Sequence, residues 1–177
     1  MSGIYTRFLK HMVPGGLILD AGSGSGRIRS PTYIRLGYVV EAFDASPELC
    51  RLSSARTGVR ISCLRFQDFD CPPRYDGIWA CASLLHVPLS DLNDALSRLA
   101  QGPKSAGAFY MSFKYGSGER VALDGCLFVD MDERGIQCFF AAIPEMTITD
   151  LWRSGGEGAN SGKDNWLNVI AVKPPRK

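Results

Sequence analysis

An apolar run that ends in a glycine-rich turn is the feature that most restricts the fold of this chain. Residues 17–27 read Leu-Ile-Leu-Asp-Ala-Gly-Ser-Gly-Ser-Gly-Arg, and a second apolar run ends at Asp44. A strand that stops at a glycine turn lets the backbone approach a ligand closely. An acidic residue that ends the neighbouring parallel strand can accept both hydroxyls of a ribose. The pattern therefore predicts an α/β fold that binds an adenosine-containing cofactor.

The spacing of the glycines distinguishes between two such cofactors. Gly22, Gly24 and Gly26 follow a G-x-G-x-G pattern, and Arg27 occupies the third glycine position of a dinucleotide fingerprint. A pyrophosphate needs a small residue there, because helix and phosphates must come close. S-adenosylmethionine has no pyrophosphate and requires only a tight turn and a partner for its carboxylate. Arg27 is a candidate for that partner.

The order of the predicted elements is typical of a parallel α/β sheet. Strands are predicted at residues 17–20, 38–43, 59–66, 77–81 and 108–113, and a final β-hairpin at 146–152 and 166–172. Helices are predicted at residues 4–13, 27–36, 91–101 and 132–143. Pro31 makes the second helix short or kinked, and Ser90 is placed to cap the third. Residues 114–125 are predicted to form a polar loop.

The first two motifs resemble those of the class I S-adenosylmethionine-dependent methyltransferases. Residues 19–26 are similar to the first motif of that family, with Ser23 where the family usually has Cys. Residues 43–48 are similar to the end of its second strand, which implies that Asp44 binds the ribose. A helix should follow, because Ser46 can cap it, Pro47 suits its first position and Glu48 favours its dipole.

Two further segments extend the resemblance. At residues 66–69 it implies that Asp68 accepts from the adenine amino group and that Phe69 gives a backbone bond to the ring. Residues 75–88 are similar to the fourth strand and the following turn, which lie beside the transferred methyl group. The sequence Ala-Cys-Ala-Ser-Leu-Leu-His-Val-Pro at residues 80–88 is most similar to small bacterial tellurite-resistance-type methyltransferases.

Fold, cofactor and site follow from this resemblance as expectations. It implies one domain over residues 1–177, a Rossmann-like three-layer sandwich with a mostly parallel seven-stranded sheet and an antiparallel last strand. The implied cofactor is S-adenosyl-L-methionine. The expected cofactor-binding residues are Asp20, Gly22, Ser23, Gly24, Arg27, Asp44, Ala45, Ser46, Gln67, Asp68, Phe69, Cys81 and Ser83.

Several of these residues have a second interpretation. His86 either acts as a general base on the acceptor or bonds a nearby backbone carbonyl. Asp20 either links to the cofactor amine or caps the glycine turn, and Asp70 competes with Asp68 for the adenine. Ala45 and Phe69 pack either within the protein or against the adenine. The reaction does not require a base, because the sulfonium is already activated and alignment supplies much of the acceleration.

Composition restricts the remaining possibilities. A chain of 177 residues with 45% hydrophobic residues fits one domain with its own core. The net charge of +2, without clustered basic residues, makes nucleic acid a poor substrate. No run approaches the roughly 20 apolar residues that a membrane helix needs. Six cysteines without a C-x-x-C pair, and only two histidines, predict reduced thiols in a cytoplasmic protein and no metal site.

Three functions are consistent with these observations. The first is methyl transfer from S-adenosylmethionine to a small molecule by direct displacement, by a monomer or homodimer. The second is an NAD(P)-dependent oxidoreductase, which Arg27 and the terminal hairpin disfavour. The third is a non-catalytic S-adenosylmethionine-binding regulatory module. The short segment before the first strand predicts an open site, closure by a partner subunit or by residues 114–125, or a shortened chain.

Overall fold

One mixed β-sheet forms the centre of the computed structural model, which describes residues 3–26, 29–155 and 165–175. Its strands are β1 (Leu17–Ala21), β2 (Val39–Asp44), β3 (Ile61–Cys63), β4 (Tyr75–Cys81), β5 (Pro103–Tyr115), β6 (Gly118–Val121), β7 (Leu127–Met131), β8 (Thr147–Ser154) and β9 (Trp166–Val172). The helices are α1 (Gly3–Leu9), α2 (Arg29–Arg35), α3 (Pro47–Thr57), α4 (Leu89–Gln101) and α5 (Glu133–Ala141). Single 3-10 turns span Phe66–Asp68 and Leu84–His86.

The strand order confirms the predicted fold class. Strands β3, β2, β1, β4 and β5 lie side by side in that order, and all of them are parallel. Strand β9 lies antiparallel between β5 and β8. Because these strands are parallel, the carboxyl ends of β1, β2 and β4 meet at one edge of the sheet, which is where open α/β sheets bind ligands.

The sheet differs from the prediction in its number of strands, because the described residues form nine rather than seven. The additional hairpin of β6 and β7 follows β5, and Lys114 and Tyr115 pair with Asp130 and Met131 at its base. Part of this hairpin was predicted to be a polar loop. Every residue of β6 is exposed, so the alternation of polar and apolar residues that marks a half-buried strand is missing.

Helices cover both faces of the sheet. Helices α4 and α5 pack on one face through buried residues that include Leu92, Leu96 and Ile136. On the other face, α1 and α2 contribute Phe8 and Tyr33, and α3 contacts β2 and β3 beside them. Each fully buried Leu, Ile or Phe stabilises the fold by about 1.5–3 kcal/mol. The result is the predicted three-layer arrangement.

The start of α4 corrects a predicted cap. The helix begins at Leu89, so Ser90 lies inside its first turn and its hydroxyl donates to Asp91 at 2.9 Å. The backbone N–H of Leu89 donates instead to the Glu119 carboxylate of β6, at 2.7 Å. A tertiary contact from the hairpin therefore supplies the acceptor that Ser90 was expected to provide.

The third strand is shorter than predicted. Gly58 ends α3 in a left-handed conformation, and the following Val59 N–H donates to Thr57 rather than to a strand. The strand predicted at residues 59–66 is therefore limited to β3, Ile61–Cys63. No helix in the described part of the chain is long and apolar enough to cross a membrane.

Candidate functional site

The glycine turn after β1 is fixed against two neighbouring strands. The backbone N–H groups of Gly22 and Ser23 both donate to the carbonyl of Phe43, at 2.9 and 3.0 Å. Gly22 has a φ of +72°, and a Cβ at this position would lie 2.4 Å from Cβ of Ser83. Only glycine fits here, because the position combines a left-handed conformation with a close approach.

The carboxylate of Asp44 joins this turn to the end of β2. Its Oδ2 accepts from the N–H of Gly24 at 2.9 Å, and its Oδ1 accepts from the N–H of Ser46 at 3.0 Å. A carboxylate oxygen has a second lone pair, so each oxygen can still accept from a ligand hydroxyl. Apart from its neighbours along the chain, no heavy atom of the described residues lies within 4 Å of the position that a Cβ on Gly24 would occupy. The oriented carboxylate is therefore bonded to Gly24, which itself faces open space among the described residues.

The segment that follows Asp44 adopts the predicted conformation. Ser46 caps α3 by accepting from the N–H of Leu49 at 3.3 Å, and Pro47 occupies the first turn. Ala45 is exposed at the same edge of the sheet. The cap fixes the path of residues 44–46, so the Asp44 carboxylate is held from both sides.

The turn after β4 approaches the glycine turn from the opposite side. The Ser83 hydroxyl donates to the carbonyl of Ala21 at 2.8 Å, and Ala82 has a left-handed φ of 51°. The hydroxyl of Ser112 accepts from the N–H of Ala82 at 2.9 Å and points to Sγ of Cys81 at 3.6 Å. Ser112 was not predicted, although a polar residue inside an apolar strand was a detectable signal.

The predicted adenine-binding segment is held by internal contacts. Nε2 of Gln67 donates to Asp91 at 3.1 Å. The Asp68 carboxylate accepts two hydrogen bonds from Arg65, at 2.8 and 3.0 Å, and these lower the pKa of Asp68. The backbone N–H of Phe69 already donates to the carbonyl of Phe66, at 3.2 Å. The adenine contacts of these residues stay a prediction, and each would have to share or replace an existing bond.

Two phenylalanines near this segment have different positions. Phe69 is buried and stacks on Phe43 with ring centroids 5.5 Å apart. Phe66 is half-buried, and its ring lies 3.2 Å from the position of a Cβ on Gly22. Phe66 thus forms a wall beside the glycine turn, a role that the sequence did not reveal because the two residues are far apart along the chain.

His86 lies at the same edge, between β4 and the β6–β7 hairpin. Its Nδ1 is 2.8 Å from the carbonyl oxygen of Leu127, and its ring lies 4.9 Å from that of Phe128. A carbonyl oxygen only accepts, so Nδ1 is the donor and Nε2 of the neutral ring carries the lone pair. The structure therefore shows the bond to a backbone carbonyl that was one of the two expectations for His86. This bond also leaves Nε2 able to accept a proton, as the other expectation requires.

Three other predicted residues complete the edge. Asp20 is completely buried at the end of β1, opposite Trp79 in the register of β4. The hydroxyl of Ser23 is buried, and it has no hydrogen-bond partner among the described residues. Such a group fits a site that a polar ligand completes. Arg27 lies outside the described residues.

Two clefts lie elsewhere on the surface. One of about 680 Å³, lined by residues that include Lys104 and Pro174, adjoins the amino end of β5, away from the glycine turn. The other, of about 480 Å³, borders Leu64 and Phe69 on the face of β2 and β3. The site chemistry follows the carboxyl ends of the strands rather than the larger cleft, because parallel sheets bind ligands at those ends.

Comparison with known protein families identifies a domain in this chain. The sequence profile described as "Methyltransferase domain" matches residues 19–111, more than half of the chain. No curated protein matches the sequence.

Solved structures share the fold over nearly the whole chain. A 1,6-didemethyltoxoflavin-N1-methyltransferase from Burkholderia thailandensis, with bound 1,6-didemethyltoxoflavin and S-adenosylhomocysteine, is 23% identical (TM-score 0.79; 98% of this chain and 77% of the other covered). A SAM-dependent methyltransferase from Methanosarcina mazei is 15% identical (TM-score 0.81; 99% of both). A TehB-like SAM-dependent methyltransferase from Corynebacterium glutamicum is 18% identical (TM-score 0.71; 94% and 85%). At such identities, these likenesses show the fold alone.

Proposed function

Because this chain belongs to the methyltransferase domain family, we propose that it binds S-adenosylmethionine and transfers the methyl group to a small-molecule acceptor. The observation that carries the proposal is the Asp44 carboxylate, which the N–H groups of Gly24 and Ser46 orient at the carboxyl edge of the sheet. When bound, S-adenosylmethionine supplies a methyl group that its positively charged sulfur has already made electrophilic.

Three residues at or beside the glycine turn have a function in this proposal. Asp44 accepts the two ribose hydroxyls with the lone pairs that its backbone bonds leave over. Gly22 keeps the turn close to Ser83, which brings the ends of β1 and β4 together. The buried hydroxyl of Ser23 gains a polar partner from the cofactor. These groups bind and orient the cofactor, and alignment of methyl and acceptor supplies much of the acceleration.

His86 is the candidate for proton removal. The bond from Nδ1 to the Leu127 carbonyl orients the ring and fixes the tautomer with a basic Nε2. A hydroxyl or protonated amine acceptor would lose its proton to Nε2. We expect His86→Gln to spare cofactor affinity and to lower turnover for such acceptors, whereas a soft nucleophile such as a thiolate would be methylated at an unchanged rate.

One structural neighbour supports a small acceptor. The Burkholderia enzyme is named for 1,6-didemethyltoxoflavin and was crystallised with it. In this chain, the short β6–β7 hairpin is additional to the predicted sheet and lies at its carboxyl edge. The hairpin contacts His86 and the start of α4. We infer that the acceptor approaches past this hairpin.

The proposal is tested by methyl transfer itself. Purified protein is incubated with S-adenosylmethionine labelled in its methyl group and with a panel of small thiols, phenols, amines, heteroaromatic nitrogens and oxyanions of metalloids. We expect label transfer to at least one class with the wild type, and much less transfer with Asp44→Asn at the same concentration of S-adenosylmethionine. Cofactor binding without transfer to any class would favour a non-catalytic binding module.

A further inference from the structure

Two thiols lie directly behind the ribose-binding segment. Cys50 of α3 packs against Ala42 and Ile61 on one face of the sheet. Side chains alternate along a strand, so Cys63 lies on the same face as Ile61, one pleat closer to the carboxyl edge. In the sheet register, Cys63 is the partner of Asp44. The two cysteines therefore meet between α3 and β3, at the end of β2.

Both thiols bond the main chain that carries the ribose acid. Sγ of Cys50 donates to the carbonyl of Asp44 at 3.3 Å and approaches that of Ser62 at 3.6 Å. Sγ of Cys63 approaches the carbonyl of Ala45 at 3.8 Å. Burial raises the pKa of the Cys50 thiol, and contact with the Cys63 thiol raises it further. Cys63 is exposed, so it is accessible to a reagent in solution.

We propose that Cys50 and Cys63 form a reversible disulfide that switches cofactor binding off. The oxidant is a small-molecule disulfide. The Cys63 thiolate attacks it, forms a mixed disulfide and releases one thiolate. The Cys50 thiolate then attacks the Cys63 sulfur and releases the second. In sum, two protein thiols lose their protons and electrons to the reagent, which leaves as two thiols.

The disulfide changes the segment that holds Asp44. Oxidation removes the S–H donors from the carbonyls of Asp44 and Ala45, and the new S–S bond ties α3 to the end of β3. Disulfide geometry is narrow, so Cys50 and Cys63 have to move relative to the carbonyls of Asp44 and Ala45 that they now contact. The predicted loss of cofactor affinity rests on the proposed function, whereas disulfide formation does not.

Peptide mapping tests the bond. Trypsin releases Cys50 in the peptide 36–51 and Cys63 in the peptide 61–65, each with one cysteine. After treatment with oxidised glutathione, we expect these two peptides to be linked in the wild type. The link should persist in Cys138→Ser, which removes an exposed cysteine on the opposite face, and vanish in Cys63→Ser. Wild-type peptides that stay unlinked overturn the proposal.

Calorimetry tests the consequence. We expect oxidation to weaken S-adenosylmethionine binding of the wild type and of Cys138→Ser by roughly tenfold or more, a change of about 1.4 kcal/mol. Oxidation should not change the S-adenosylmethionine affinity of Cys63→Ser. If Cys63→Ser does not fold, Cys50→Ala is used in its place. A linked protein with unchanged affinity refutes the switch. Reduced protein that does not bind contradicts the proposed function instead, and the peptide map still decides on the disulfide.

Discussion

At the scale of single residues, the proposed binding of the cofactor depends on Asp44. Two backbone N–H groups orient its carboxylate, one from the glycine turn and one from the cap of α3. A buried charge is costly without partners, but this group is only half-buried and is already bonded on one side of each oxygen. We propose that the two remaining lone pairs give the site its selectivity for adjacent hydroxyls.

Removal of the Asp44 carboxylate tests this role. We expect Asp44→Ala to weaken S-adenosylmethionine binding by about 3 kcal/mol, roughly 100-fold, because each charge-assisted hydrogen bond contributes about 1.5–3 kcal/mol. Titration calorimetry measures the change. Glu48→Gln, one turn away on α3 and exposed, is the control and should bind normally. Equal affinities of the two variants would refute the ribose assignment.

The glycine turn offers a matched pair of substitutions. Gly22 and Gly24 both have left-handed φ values, but only Gly22 would place a Cβ against Ser83. A left-handed conformation costs about 1–2 kcal/mol in either variant. Overpacking adds about 1–3 kcal/mol for Gly22→Ala alone. Urea denaturation should therefore rank Gly22→Ala as the less stable variant, and a reversed order would show that the turn is not seated as described.

At the scale of elements, the β6–β7 hairpin contacts two other elements at the carboxyl edge of the sheet. It caps α4 through Glu119 and bonds His86 through the Leu127 carbonyl. Its conformation thus decides both where α4 begins and how the His86 ring is oriented. A second contact lies at the carboxyl end of β5, where the hairpin begins. There Tyr115 of β5 and Arg153 of β8 both donate hydrogen bonds to the Glu133 carboxylate of α5.

That second contact makes a prediction about pH. Hydrogen bonds from Arg153, from its own backbone N–H and from Tyr115 lower the pKa of Glu133 from 4.5 to about 2. A depressed carboxyl pKa favours the folded state above the ordinary value, and the contribution is lost as the pH falls from 4.5 towards 2. NMR titration should give a wild-type value near 2, and Arg153→Ala should raise it.

The control for this titration is Arg120→Ala. Arg120 pairs with Asp130 on the hairpin and does not contact Glu133 in any described hydrogen bond, so the Glu133 pKa should stay low. A wild-type Glu133 that titrates at its ordinary value would mean that Arg153 does not hold it in solution.

At the scale of the whole molecule, local patterns predicted most of the architecture. The Ser46-Pro47-Glu48 cap, the strand that ends at Asp44 and the final hairpin were legible because each depends on neighbouring residues. The predicted three layers and the antiparallel last strand are confirmed. The fold class could be predicted because buried parallel strands leave a strong apolar signal.

The wrong predictions occur where contacts with residues distant in sequence determine the local structure. Ser90 is not a cap, because Glu119 from a later strand accepts the first helical N–H. Strand β6 was missed, because it has no buried face. At the site, the bond of Gln67 to Asp91 and the position of Phe66 against Gly22 are tertiary contacts without a local signature. The roles of the individual site residues stay predictions until ligands are tested.

One measurement tests the central claim most directly. The purified, reduced protein is titrated calorimetrically with S-adenosylmethionine, with S-adenosylhomocysteine and with NADH in the same buffer. We expect the first two to bind, NADH not to bind, and Asp44→Ala to bind the first two roughly 100-fold more weakly than the wild type. Binding of NADH alone would contradict the claim, because the edge around Asp44 would then hold a dinucleotide rather than a methyl donor.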